Sequence, residues 1–175
     1  DYYCLFILAT LTGMRLGEYS ALKPKDIDFE NKLIYIEKQY TRKELKARTK
    51  TKESTRIIQI SEKVLEILNW HIQTFNIDAN DFMFKLKTGN IVNAKWVERR
   101  FQKLLTINEF DKNFCRLHDL RGQFVDIMHL LGVSTEYISR AVGHSNVLTT
   151  SRAYTQILNE LPVEANIKMD EKLFG

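Results

Sequence analysis

The sequence predicts an α+β fold: a mainly helical single domain with a small three-stranded antiparallel sheet inserted near its front. Most apolar residues recur at spacings of three and four, the period of helices packed on one face. Residues 32–60 depart from that period, alternating in places and rich in β-branched residues. With 175 residues, 44% of them hydrophobic and 27% charged, the chain is long enough to bury one sizeable core.

In chain order, Leu5, Leu8, Ala9, Leu11, Leu16, Tyr19 and Leu22 mark two successive helices, with Gly13 as the break ahead of Arg15. Pro24, Asp26 and Asp28 mark a turn. Lys32 to Tyr40 then alternates, Ile34 and Ile36 facing one way and Tyr35 and Glu37 the other. Glu44 to Lys50 and Arg56 to Ile60 are two more extended segments, and these three strands are expected to pair as one antiparallel sheet. Ser61, Glu62 and the spaced Val64, Leu65, Leu68, Ile72 and Phe75 read as an N-capped amphipathic helix, and a second helix runs from about Asn93 to Leu105. Further helices are expected over Leu117 to Leu131, Ser134 to Val142 and Asn146 to Ile157, with Gly132 and Gly143 as stops, and over Val163 to Leu173 after Pro162. No internal repeat interrupts this order, so one domain is expected over residues 1–175, with 160–175 as a C-terminal tail.

Seven Gly and two Pro exclude a collagen-like or low-complexity chain, and no apolar run approaches membrane-spanning length. Cys4 and Cys115 sit in apolar stretches without metal-ligand spacing, as expected of free, buried thiols in a reducing cytoplasm. The opening Asp1-Tyr2-Tyr3 lacks the basic start of a secretory signal. Because the chain begins without Met, directly inside a helical pattern, it is expected to be a fragment with a further domain upstream. A net charge of +4 favours a polyanionic partner only weakly. Its distribution says more: between Arg42 and Arg56 seven Lys or Arg face two Glu, a local +5. That segment reads either as a solvated hairpin or as one whose tip enters a DNA groove, with Arg42, Lys43, Lys46, Arg48, Lys52 and Arg56 as contacts. Residues 160–175, with four acidic residues against two lysines, are not expected to touch DNA.

Four short stretches carry chemistry. In Leu117-His118-Asp119-Leu120-Arg121 the His and Arg stand one helical turn apart and could meet one phosphate. In Gly143-His144-Ser145-Asn146 the His follows a helix stop. Thr149-Thr150-Ser151-Arg152-Ala153-Tyr154-Thr155 carries a tyrosine whose ordinary reading is core packing. In Thr12-Gly13-Met14-Arg15-Leu16-Gly17-Glu18 the default reading is a structural Arg15 and Glu18 pair. His71 and His129 have no accompanying motif and read as structural.

Taken in order, these stretches resemble the tyrosine recombinase, or phage integrase, family: the Arg15 stretch matches its first arginine box, His118 to Arg121 its second, and the segments around His144 and Tyr154 its last. The similarity covers nearly the whole chain, and the basic hairpin lies between the first and second boxes as the family has it. The resemblance implies the recombinase catalytic fold and a role for the matching residues. Arg15 and Arg121 would grip the scissile phosphate, His118 and His144 would flank it, and Tyr154 would be the nucleophile. Lys50 best matches the hairpin lysine, with Lys52 as runner-up. Two positions depart from the pattern: Gly122 stands where a larger residue is usual, with a looser helix start expected, and Gln59 stands where proline is common.

The residue types suit that chemistry. Phosphodiester cleavage gathers charge on two nonbridging oxygens, which planar guanidiniums satisfy with paired hydrogen bonds. A phenol with a pKa near 10 needs positive potential or a base to act as a nucleophile. A general acid on the departing 5′ oxygen is worth roughly a hundredfold in rate, and the hairpin lysine is the expected donor. His118 is the expected proton acceptor or electrostatic partner, and His144 a donor to a phosphate oxygen. The 3′ phosphotyrosine conserves the bond energy, so no cofactor is expected. No metal is expected either, since no carboxylates are spaced for paired Mg²⁺. The family resemblance further implies double-stranded DNA as partner, a homotetramer on DNA acting through a Holliday junction, a monomer in isolation, and a tail packing in cis or in trans. Two rivals are a type IB topoisomerase and a noncatalytic DNA-binding module.

Overall fold

The computed structural model describes residues 2–41, 44–47, 56–111 and 113–143. The chain opens with helix α1 (Tyr3–Thr12) and the short α2 (Leu16–Ser20), then a 3₁₀ turn at Pro24–Asp26. Strands β1 (Ile27–Asp28), β2 (Leu33–Ile36), β3 (Lys38–Tyr40), β4 (Leu45–Ala47) and β5 (Arg56–Gln59) follow, and α3 (Glu62–Phe75), α4 (Ala94–Ile107), α5 (Asp119–Leu130) and α6 (Thr135–Val142) complete the described elements. A mainly helical body with a small antiparallel sheet is thus what the periodicities foretold. The helices expected over Asn146 to Ile157 and Val163 to Leu173 lie outside the described residues.

The strands assemble differently from the expectation. Lys32 to Tyr40 is two strands, broken at Glu37, rather than one. The three-stranded sheet runs β1-β2-β5, with Ile34 opposite both Ile27 and Ile58. Its outer member β1 arises where a turn was expected, and β3 pairs with β4 in a separate ladder, Gln39 opposite Lys46. Ile34 and Ile36 point inward and are fully buried, whereas the β3 and β4 side chains described are half-buried or exposed. Among the described strands the first ladder supplies the apolar face to the core, whereas in the second β3 lies against α2, Gly17 facing the Tyr40 carbonyl, and β4 pairs with it as the other strand of a two-stranded arm.

The core is one continuous cluster. Cys4, Leu5 and Leu8 of α1 join Leu68 of α3, Val97 and Phe101 of α4, Phe124 and Met128 of α5, and Val142 of α6. Ser61 caps α3, its hydroxyl accepting from the Val64 amide at 3.3 Å, and the Asn93 side chain does the same for α4 from the Trp96 amide at 3.0 Å. His71 is buried on α3 and donates from Nε2 to the Met83 carbonyl at 2.9 Å, while Phe75 and Phe84 pack against its ring. His129 is exposed at the end of α5. Cys4 is fully buried as expected, but Cys115 is half-exposed, because the loop ahead of α5 runs over the surface.

α1 cannot continue through Gly13, whose φ of +58° places it in the left-handed region, and the chain turns there into Arg15. The turn is also tight. A Cβ on Gly13 would lie 2.5 Å from the Phe124 ring and 3.0 Å from Val142 Cγ1, so α1, α5 and α6 converge on this one backbone position. Gly122 is the opposite case: α5 runs regularly through it and a Cβ there would meet open space, so the looser helix start expected at this position is not what α5 shows.

Candidate active site

The convergence at Gly13 carries the two arginines. Arg121, on the first turn of α5, is only 8% exposed and points back into the junction, where it donates from Nη1 to the Gly13 carbonyl and from Nη2 to the Val142 carbonyl at 2.6 Å. Arg15 caps α2 and donates from Nη2 to the next carbonyl, that of Gly143, at 2.6 Å. Successive carbonyls at the end of α6 thus hold two guanidiniums that stand 106 positions apart in sequence, from Arg15 to Arg121. α6 ends there because Gly143 turns left-handed at φ +72°, leaving those carbonyls without intrahelical partners.

Glu18 anchors Arg15. Its carboxylate accepts from the Arg15 main-chain N at 2.7 Å, closing the first turn of α2, and from Arg15 Nη1 at 3.1 Å. It also accepts from both terminal nitrogens of Arg56, at 2.6 and 2.7 Å. The expected pair is therefore a triad. Arg56, expected among the DNA contacts, is corrected by this finding: at 5% exposure, with a bidentate bond to a buried carboxylate, it is an interior residue. The signal was present in the alternation Arg56, Ile58, Ile60, which places Arg56 on the inward face of β5 opposite Ile36.

Arg15, His118 and Arg121 line one cleft of about 1010 Å³, together with Gln39, Tyr40 and Thr41 of the arm and Asn93, Lys95 and Glu98 at the start of α4. His118 is exposed at the N-cap position of α5 rather than inside the helix, so its ring stands at the cleft edge, one turn from Arg121. Asp119 beside it is bonded to Arg116, through its carboxylate to the guanidinium at 3.0 Å and to the main-chain N at 2.8 Å; those hydrogen bonds hold its pKa below the ordinary carboxylate range. Tyr19, which also lines the cleft, has a phenol pushed up by burial first and by Glu98 second, so it is no ready nucleophile. Lys46 is exposed on β4, its ammonium 3.1 Å from Glu44. The cleft residues of the arm and of α4 escaped sequence reading because no motif marks them.

Arg42, Lys43, Arg48, Lys50, Lys52, His144 and Tyr154 lie outside the described residues. Among the described residues no group of three or more His, Cys, Asp or Glu could hold a metal ion, and no helix is long and apolar enough to cross a membrane.

Two guanidiniums and an imidazole thus open on one cleft of a mainly helical domain, an arrangement with the donors to receive an anion. The chain belongs to the phage integrase family, whose model matches residues 1–160. It is 28% identical over 178 residues to an integrase of Staphylococcus phage L54a, covering 94% of this chain and 50% of that protein. It is 26% identical over 178 residues to a tyrosine recombinase XerC-like protein of Caldanaerobacter subterraneus subsp. tengcongensis, covering 88% of this chain and 45% of that one. The fold superposes on the Tn1549 transposon integrase in complex with transposon right end DNA with a TM-score of 0.74 and 22% identity, over 99% of this chain and 59% of that one. The chain therefore spans about half the length of the curated relatives it matches.

Proposed function

We propose that this chain is the catalytic unit of a site-specific DNA recombinase, an integrase of a prophage or mobile element, which cuts and rejoins strands through a 3′ phosphotyrosine at Tyr154. The observation that carries this reading is the pair of guanidiniums, Arg15 and Arg121, held by successive carbonyls of one helix end and sharing a cleft with His118. A donor set locked before substrate arrives needs no reorganisation when charge builds on the phosphate. The named relatives are integrases and recombinases, and the Tn1549 protein was captured on DNA, which supports double-stranded DNA as the partner.

In this reading the two arginines bind the nonbridging oxygens of the scissile phosphate and raise the positive potential around the phenol. Tyr154 attacks phosphorus, the P–O5′ bond breaks, and the 5′ oxygen takes a proton from Lys50, or from Lys52 if the loop is set differently. His118 accepts the tyrosyl proton or stabilises the developing charge, and His144 donates to a phosphate oxygen. The exposed Lys46, with Arg42, Lys43, Arg48 and Lys52, contacts backbone phosphates along the arm. Assembly is a homotetramer on paired sites, with residues 160–175 packing either on their own subunit or on a neighbouring one.

Incubation with a nicked duplex carrying the attachment sequence, from which the cleaved end diffuses away, tests this directly. A covalent protein–DNA adduct is expected, and Tyr154→Phe abolishes it while DNA binding stays within about threefold of wild type, because one phenolic oxygen makes little ground-state contact. An adduct that survives in Tyr154→Phe refutes the assignment. Recombinant junctions distinguish recombination from relaxation of supercoils alone, and a wild type that binds DNA yet forms no adduct is a binding module.

A further inference from the structure

We propose that Arg56 is a positioning residue for strand cleavage: by occupying both oxygens of Glu18, it keeps that carboxylate from neutralising Arg15. This inference rests on the strand-cleavage reading above. The observation is the unequal sharing of one carboxylate. The Glu18 side chain is 0% exposed, and its short bonds, 2.6 and 2.7 Å, go to Arg56, whose side chain is 6% exposed. The single side-chain bond to Arg15 is longer, 3.1 Å, and the Arg15 side chain is 36% exposed at the cleft.

The charge balance explains why this matters. A buried carboxylate demands a cation, and the planar fork of a guanidinium meets both of its oxygens at once. With Arg56 in that place the negative charge is answered from the interior side. The second guanidinium leaves these three side chains with one net positive charge, and Arg15 is the half-exposed member of the triad. Without Arg56, Arg15 is the cation left beside Glu18 among the described residues. Its own fork then turns from the Gly143 carbonyl into a bidentate bond with Glu18, and the field offered to a phosphate falls. Lysine at position 56 keeps the charge but not the two-pronged geometry.

Nothing in this role involves touching DNA, since Arg56 is buried beneath α2. A structural ion pair would predict a general loss of activity with loss of fold. The proposal predicts a loss tied to the charge of the scissile phosphate, which is separable by chemistry: replacing one nonbridging oxygen with methyl removes the negative charge that Arg15 meets, and leaves the reacting P–O5′ bond in place.

The test measures single-turnover cleavage by the purified protein on matched substrates, one with the natural phosphodiester and one with a methylphosphonate at the scissile position. Arg56→Met is expected to slow phosphodiester cleavage on the order of a hundredfold, the scale for losing one aligned donor to a developing oxyanion. On the methylphosphonate the loss relative to wild type shrinks to within a few-fold, as it does for Arg15→Ala. Arg56→Lys is expected to lie between Met and wild type on the phosphodiester. Equal losses on both substrates, or no loss on either, overturn the proposal. If Arg56→Met fails to fold, Arg56→Lys carries the same comparison, and equal losses on its two substrates overturn the proposal equally. An adduct that persists in Tyr154→Phe sinks the strand-cleavage reading; an adduct that needs Tyr154 but is indifferent to Arg56 sinks only this inference.

Discussion

The junction at Gly13 offers a sharp test of how the fold holds the site. Gly13→Ala places a methyl group at a backbone φ of +58°, which costs an L-residue roughly 1–2 kcal/mol. The same methyl would lie 2.5 Å from Phe124 Cδ1 and 3.0 Å from both Phe124 Cε1 and Val142 Cγ1, each closer than ordinary contact. Overpacking a tight core costs about 1–3 kcal/mol, so the expected destabilisation is about 2–5 kcal/mol. The damage reaches the cleft, because the Gly13 carbonyl binds Arg121 and the Val142 main chain binds it from the other side. A displacement near 1 Å at such a site is worth on the order of a hundredfold in rate. Urea denaturation gives the stability and single-turnover cleavage the rate, both compared with Gly122→Ala. There the new methyl meets open space at the end of the first turn of α5, and a gain of up to about 1 kcal/mol is expected with cleavage unchanged, since no contact to the site is altered. If Gly13→Ala loses less than about 1 kcal/mol and cleaves as wild type, the junction does not hold the site in place.

Other consequences follow from burial. His71 has its pKa lowered first by desolvation, so the unfolded chain binds a proton below about pH 6.5 that the folded chain resists. Stability is therefore expected to fall on acidification through that value, by at most about 1.4 kcal/mol per pH unit from this residue, and His71→Gln should flatten that part of a chemical-denaturation profile; an unchanged slope refutes the assignment. Burial pushes the Cys4 thiol from 9.0 up to about 12, which alone cuts its thiolate about a thousandfold at neutral pH, so iodoacetamide followed by peptide mapping should find Cys115 modified well before Cys4 in the folded protein. Equal rates would contradict the packing of α1.

The amino-acid order by itself determined the helices among the described residues, the break at Gly13, the caps at Ser61 and Ser134 and the end of α6, because each is written in the spacing of apolar residues or in one local residue type. Its resemblance to the family also singled out Arg15, His118, Arg121, His144 and Tyr154 as a group, of which Arg15, His118 and Arg121 line one cleft, while His144 and Tyr154 lie outside the described residues. What periodicity could not settle was pairing. Alternation marks a strand but not its neighbour, so the place of β1 in the sheet and the separation of the β3–β4 arm depended on which faces found apolar partners. Charge was misread for the same reason: a count of basic residues put Arg56 on the DNA-facing surface, whereas Glu18, 38 positions away, draws it inside. Likewise the clamps on the two arginines are main-chain carbonyls of Gly13, Val142 and Gly143, which every residue possesses. Only the tertiary structure decides which carbonyl a guanidinium meets, because hydrogen bonding between distant segments depends on where helix ends come to rest.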